Sequence, residues 1–249
     1  MSKVIVEQKG PVKTIWMNRP EKRNALDREM RRYYAQRAPE YDDWYDRLGR
    51  YDDPATNAAW HAEVARLGQI ADGFGAGRLL DIACGTGRWT ARFAANPHVT
   101  GVVAMDQAPE MLEQTRARLA AAGRTAELAQ GDAYALPFGD GVFESCFSGF
   151  FLSHVPSERL AGFLGEVRRV LRPGGALLVF DSMLPAGREA VQVQERPLKD
   201  GSRHRVLKVY YTPDALRDTL ALVAAPESIA AETTGRFFVV GRGATPARE

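Results

Sequence analysis

The sequence has only two cysteines, Cys84 and Cys146, and neither stands in a Cys-x-x-Cys or Cys/His pattern. That excludes a disulfide framework, offers no zinc-ligand spacing and fits a reducing, cytoplasmic setting. Long apolar runs are missing as well. No uncharged stretch approaches the roughly 20 residues a bilayer-spanning helix requires, and the opening MSKVIVEQKG lacks the apolar core and cleavage site of a secretory leader. No membrane partner is expected. Nor is there an excess of one charge: 33 Lys+Arg against 31 Asp+Glu leave a formal +2. A general grip on a phosphate backbone needs cations clustered on one face, so nucleic acid is not an expected partner either.

What remains is a composition close to the soluble globular average, 45% hydrophobic and 26% charged over 249 residues, which excludes wholesale disorder and coiled coil and allows one or two domains. Val4-Ile5-Val6 and Val12 to Met17, separated by Gln8-Lys9-Gly10-Pro11, read as a hairpin. Asn18 to Asn24 reads as a loop before a helix that Asp27 caps. Cations then predominate from Arg19 to Arg37 and anions from Ala38 to Asp53, a pattern of solvated, mutually neutralising helical faces.

From Arg78 the rhythm changes. Short apolar runs at 78–83, 99–105, 126–130, 142–147 and 176–180 alternate with helical spacing at 89–95, 109–122 and 157–171. This is the pattern of βαβ units and a parallel sheet. Two further β-prone runs, Arg205 to Tyr211 and Arg236 to Val240, flank a helix that opens at Thr212-Pro213-Asp214, and Gly241 to Glu249 reads as a frayed tail.

The segment Leu79-Leu80-Asp81-Ile82-Ala83-Cys84-Gly85-Thr86-Gly87-Arg88-Trp89-Thr90 runs from strand through two glycines into a helix. Glycines belong there because the tight turn demands positive φ and a ligand must approach the backbone. A dinucleotide fingerprint would place a third glycine where this chain has Thr90, and Asp81 would repel a pyrophosphate while accepting hydrogen bonds from an ammonium group. Asp106 ends the second strand about 20 residues beyond Gly85, the station of a ribose-binding carboxylate. Asp132, in Gly131-Asp132-Ala133, follows the third strand and could accept from an adenine amino group.

Together with Phe143-Glu144 and Leu171-Arg172-Pro173-Gly174-Gly175, these motifs resemble the class I S-adenosylmethionine-dependent methyltransferases over about residues 33–240. The resemblance implies an α/β, Rossmann-like, seven-stranded and mostly parallel sheet with helices on both faces and an antiparallel final strand. It also implies S-adenosyl-L-methionine as cofactor. Asp81, Ala83, Gly85 and Gly87 would meet its methionine end, Asp106 with Gln107 and Met111 the ribose side, and Asp132 with Ala133 the adenine. Ser148 would pass beneath the transferred methyl. Residues 31–75 resemble the helical lid of small-molecule members, in which Tyr34 and Arg37 would close over the donor and Asp43 to Tyr51 would border the acceptor.

The expected reaction is methyl transfer to a small organic acceptor, by a monomer or homodimer. His154, in Phe151-Leu152-Ser153-His154-Val155, is the candidate general base, and His204 is read as part of a polar loop. A non-catalytic donor-binding module is the alternative, with a nucleotide-dependent reductase behind it. Residues 1–30, with Gly10-Pro11-Val12 and Asn18-Arg19-Pro20-Glu21-Lys22-Arg23-Asn24-Ala25-Leu26-Asp27, resemble instead the beginning of the crotonase family of enoyl-CoA hydratases. The catalytic loop and acids of that family have no counterpart downstream, so these residues are expected to be a leader, hairpin or disordered, without crotonase chemistry.

Overall fold

The computed structural model of the chain describes residues 4–9, 12–17 and 25–247. Strands β1 (Val4–Lys9) and β2 (Val12–Met17) pair antiparallel as a separate two-stranded sheet. The residues expected to form their turn and the loop Asn18 to Asn24 lie outside the described residues in whole or in part. Helix α1 (Ala25–Arg37) starts upstream of Asp27, so Asp27 is not its cap. After it come α2 (Asp43–Asp46) and α3 (Asn57–Asp72).

The α/β body follows in the expected order: β3 (Gly77–Ile82), α4 (Arg88–Phe93), β4 (Val99–Asp106), α5 (Pro109–Ala121), β5 (Glu127–Gln130), β6 (Phe143–Gly149), α6 (Ser157–Val170) and β7 (Leu171–Ser182). Pro109 occupies the first turn of α5, where its missing N–H has no helical partner to lose. Strands β8 (Val191–Pro197) and β9 (Arg203–Val209) make an antiparallel hairpin outside the main sheet. Helix α7 (Pro213–Leu220) is capped by the Thr212 hydroxyl, which accepts from the Ala215 N–H at 3.1 Å. Strands β10 (Ala230–Thr233) and β11 (Phe238–Ala244) end the chain.

The seven-stranded sheet has the order β10-β11-β7-β6-β3-β4-β5. All neighbours from β7 to β5 are parallel, and β11 runs antiparallel to both β7 and β10. The expected class is therefore the observed one, with two corrections. The run beginning at Arg205 flanks α7 as expected but pairs with β8 outside the main sheet, and the sheet edge is β10, which is short and half-polar. The reading of 241–249 as a tail is also wrong as far as Ala244, because Gly241 to Ala244 continue β11 against β7.

Strand alternation separates two cores. Leu80, Ile82, Val103, Met105, Leu177 and Val179 pack beneath Phe163, Leu164 and Val167 of α6 and Leu216 and Leu220 of α7. On the other face, Leu79, Phe147, Leu178 and Phe180 meet Trp60 and Leu67 of α3 and Trp89 and Phe93 of α4, while Ala104 and Leu128 meet Leu112 and Leu119 of α5. Helices thus cover both faces, as a buried parallel sheet requires.

Gly87 shows how tightly the first turn is packed. Its φ is +73°, and a Cβ there would stand 2.7 Å from Thr115 Cγ2 and 3.0 Å from Thr115 Cα. Gly123, after α5, has φ +62° but open space around it. Gly87→Ala is therefore expected to cost about 2–4 kcal/mol, from backbone strain plus overpacking, and Gly123→Ala only about 1–2 kcal/mol from strain. Urea unfolding of both variants checks the ranking; equal losses would contradict it.

Candidate active site

Strands β4 and β5 extend the sheet to one side of β3, and the chain then returns to place β6 on the other side. The loops after β3 and β6 diverge at that reversal and open a crevice at the carboxyl ends of the strands. Ala83 (φ +58°), Gly85 (φ +57°) and Phe150 (φ +59°) hold left-handed backbone at its edge. For Ala83 and Phe150 that conformation is uncommon, and such residues gather at functional sites.

The cleft encloses about 950 Å³, its open mouth included, and is lined by the strand-end loops and by Tyr34 and Tyr41 from the N-terminal segment. Asp106 sits at its centre. One carboxylate oxygen accepts the Gly85 N–H and the other the Ala108 N–H, both at 2.9 Å, so each retains a lone pair for a ligand. Burial raises its pKa against these backbone hydrogen bonds. Asp132 accepts the Tyr134 N–H at 2.9 Å.

Asp81 lies deeper, 1% exposed. Its Oδ2 accepts from the Thr90 hydroxyl at 2.6 Å, whereas Oδ1 is buried without a hydrogen-bond partner. Burial pushes its pKa up to about 7, opposed by the Thr90 hydrogen bond and assisted by the nearby Asp106 charge. An unpartnered buried acceptor of this kind fits a cationic group of a ligand. The Cys84 thiol, also buried, is pushed well above its ordinary value by burial and takes no nucleophilic role.

The N-terminal segment is fastened across this cleft. Asp42 accepts from Thr86 Oγ1 at 2.8 Å and also pairs with Arg118, while Tyr45 Oη accepts from Trp89 Nε1 at 3.2 Å. A second buckle joins it to the β8–β9 hairpin. Glu40 accepts the Lys199 N–H at 3.1 Å, Asp43 pairs with the Lys199 ammonium, and Arg50 donates to the Pro197 carbonyl.

Between the N-terminal segment, the β8–β9 hairpin and the loop after β6 lies a second cavity of about 1130 Å³, with open solvent included. It shares Tyr34, Tyr41, Phe150 and His154 with the first. His154 Nδ1 lies 2.6 Å from the Leu207 carbonyl. A carbonyl only accepts, so Nδ1 carries the proton and Nε2 is the acceptor nitrogen. Burial, with the Lys208 and Arg196 charges, holds the imidazole pKa well below its usual value. Lys208 is buried too, donating to Ser153 Oγ and Ser182 Oγ at 2.8 Å each and pairing with Asp181 at 3.4 Å. Burial, opposed by Asp181, pushes its pKa down to about 8.

Of the residues singled out by sequence, Ala83, Gly85, Asp106, Gln107, Met111, Asp132, Ala133, Tyr34 and His154 line the first cleft. Asp81, Gly87 and Ser148 do not reach its surface, and Ser148 Oγ is a second buried polar atom without a partner. Arg37 lines the second cavity and not the first. His204 is buried on β9, its ring 5.5 Å from that of Tyr33, and so is no part of a polar loop. Sequence reasoning missed Arg196 and Lys208, while Phe150, which the sequence offers as a docking residue for an apolar acceptor, lines both cavities. Arg196 falls in the alternation Gln192, Gln194, Arg196, and Lys208 in the β-prone run that begins at Arg205.

Comparison with known proteins follows this geometry. Residues 79–175 match the family described as a methyltransferase domain. The demethylmenaquinone methyltransferase of Staphylococcus aureus (strain MRSA252) is 34% identical over 142 residues, covering 57% of this chain and 56% of the relative. The chain thus matches little more than half the length of such relatives. Among solved structures, the complex titled DhpI-SAH has a TM-score of 0.67 at 25% identity over 90% of this chain and 98% of that one. The [4+2]-cyclase SpnF, at 16% identity and TM-score 0.65 over 88% of this chain and 96% of that one, shares the fold. Residues 79–175 are therefore similar to a methyltransferase domain, set in a fold shared with the complex titled DhpI-SAH.

Proposed function

We propose that the chain transfers a methyl group from S-adenosyl-L-methionine to a small organic acceptor. The observation that carries this is the pair of adjoining cavities, which share Tyr34, Tyr41, Phe150 and His154 at the sheet's order reversal. The solved relatives titled as complexes with SAH and SAM support the donor. The residues present fit it: Asp106 has lone pairs for ribose hydroxyls, Asp132 and Ala133 line the cleft where an adenine would lie, and the unpartnered Asp81 Oδ1, buried behind the cleft wall, would favour the ammonium through its charge. A concave second cavity of about 1130 Å³, open solvent included, favours a small molecule over nucleic acid. The described residues contain no helix long and apolar enough to cross a membrane. A cytoplasmic monomer or homodimer, with residues 1–30 contributing no crotonase chemistry, completes this reading.

When bound, the donor supplies a sulfonium methyl carbon, to which the acceptor's lone pair bonds as the carbon–sulfur pair returns to sulfur. The chain's work is alignment and exclusion of water. Tyr34 and Tyr41 close the junction as neutral phenols, because burial raises both pKa values. His154 Nε2 takes the proton of an acceptor hydroxyl or amine, and its Nδ1–H bond to Leu207 fixes the ring for that role.

Turnover of a panel of acceptors tests the reading. His154→Ala is expected to lower kcat by about 10²–10⁴. Because the imidazole pKa is depressed, the base stays unprotonated and wild-type kcat stays flat from pH 6.5 to 8. Donor binding without turnover of any acceptor would favour the non-catalytic module, and an unchanged kcat in His154→Ala would remove the base.

Donor affinity has the opposite sensitivity. Asp81 is protonated below about pH 7 and charged above it. A carboxylate that engages an ammonium binds it better when charged, so calorimetric donor affinity is expected to rise about tenfold between pH 6 and 8. Asp81→Asn should abolish that rise; an equally steep rise in the variant would assign it elsewhere.

A further inference from the structure

The second cavity is cationic in a way the near-neutral chain does not foreshadow. Arg37, Arg50, Arg196, Lys208 and Arg236 line it, and Glu195 is the only carboxylate residue that does. Glu195 is exposed and paired with Arg203 at 2.5 Å. Lys208 is matched by Asp181, and Arg50 has Glu40 at 3.8 Å.

Arg37 and Arg196 have no such counter-charge among the described residues. The Arg37 side chain, 5% exposed, donates to Tyr51 Oη at 3.5 Å, lies over the Tyr41 ring at 4.7 Å, and keeps a buried Nε with no hydrogen-bond partner. Arg196 bonds only the neutral Gln194 Oε1, at 3.0 and 3.3 Å. The two act on the same place, since both depress the Lys208 and His154 pKa values through space.

A buried guanidinium without a carboxylate is costly unless an anion completes it. Its planar fork matches a carboxylate or phospho-oxyanion, with two parallel N–H bonds. Much of the remaining wall is aromatic: Trp44, Trp60, Tyr51, Tyr210, Phe237 and Phe238. The strand register supports a purpose-built wall. On β8, Val191 and Val193 face solvent, 58% and 54% exposed, while Gln192, Gln194 and Arg196 turn inward. A hairpin that only covered a core would do the reverse.

We propose that this cavity is an oxyanion-binding acceptor subsite, in which Arg37 and Arg196 hold a carboxylate or phospho-oxyanion of a small acceptor whose apolar body rests on the aromatic wall. This rests on the methyl-transfer reading for the word acceptor; the anion site itself does not.

Calorimetry on the full chain, with and without saturating S-adenosylhomocysteine, tests it with three probes: phenylacetate, phenylphosphonate and the neutral phenylacetamide. The two anions are expected to bind at least tenfold more tightly than the amide, and more weakly as salt rises. The better anion identifies which oxyanion the subsite takes. Arg196→Gln and Arg37→Gln should each weaken the better anion at least tenfold, and Arg196→Lys should restore part of it, with S-adenosylhomocysteine affinity unchanged as proof of folding. Amide binding as tight as the anions, or anion binding insensitive to both arginines, overturns the proposal. Failure of S-adenosylhomocysteine to bind while the anions still do would sink the donor reading and leave the anion site standing.

Discussion

The Asp106 carboxylate is the fastening on which the rest of the site depends. By accepting the Gly85 and Ala108 N–H groups it locks the loop after β3 to the loop after β4. The left-handed turn through Ala83, Gly85 and Gly87 is thereby held open toward the crevice, not collapsed upon it. Thr115 closes the turn from behind, donating to the Gly85 carbonyl at 2.8 Å. The helices α4 and α5 are therefore set by the same few hydrogen bonds that shape the cleft, and a fault in the turn is a fault in both.

Around that fixed centre the walls are added by ion pairs at the periphery. Asp42 ties the N-terminal segment to the glycine turn, and Glu40 and Asp43 tie it to the hairpin through Lys199. The Lys199 side chain in these contacts is 70% exposed, and a pair with a solvated partner is individually weak. His154 and Lys208 are desolvated, and both lose basicity by it.

The parallel body was legible because its central strands carry apolar runs and the glycines of the first turn, Gly85 and Gly87, answer to positive φ. Asp81, Asp106 and Asp132 could be placed at strand ends from spacing alone. The second cavity could not. Its hairpin inverts the usual rule, exposing Val191 and Val193 and half-burying Gln194 and Arg196, because the surface it faces is a cavity and not a core. Local alternation reports two faces without saying which is inside. Strand β10 was missed for a related reason: Ala230 to Thr233 is a short edge strand with half-exposed residues and little apolar signal. The left-handed Phe150 leaves no mark in composition, since its strain is fixed by the Phe180 carbonyl, which accepts its N–H at 2.7 Å.

The most direct measurement is a calorimetric titration of the full chain with S-adenosylmethionine, S-adenosylhomocysteine, NADH and coenzyme A, repeated on Asp106→Ala. Micromolar binding of the first two alone, lost or strongly weakened in the variant, is the expected result. Binding of NADH or coenzyme A in their place, or no loss of donor affinity without Asp106, would contradict the account.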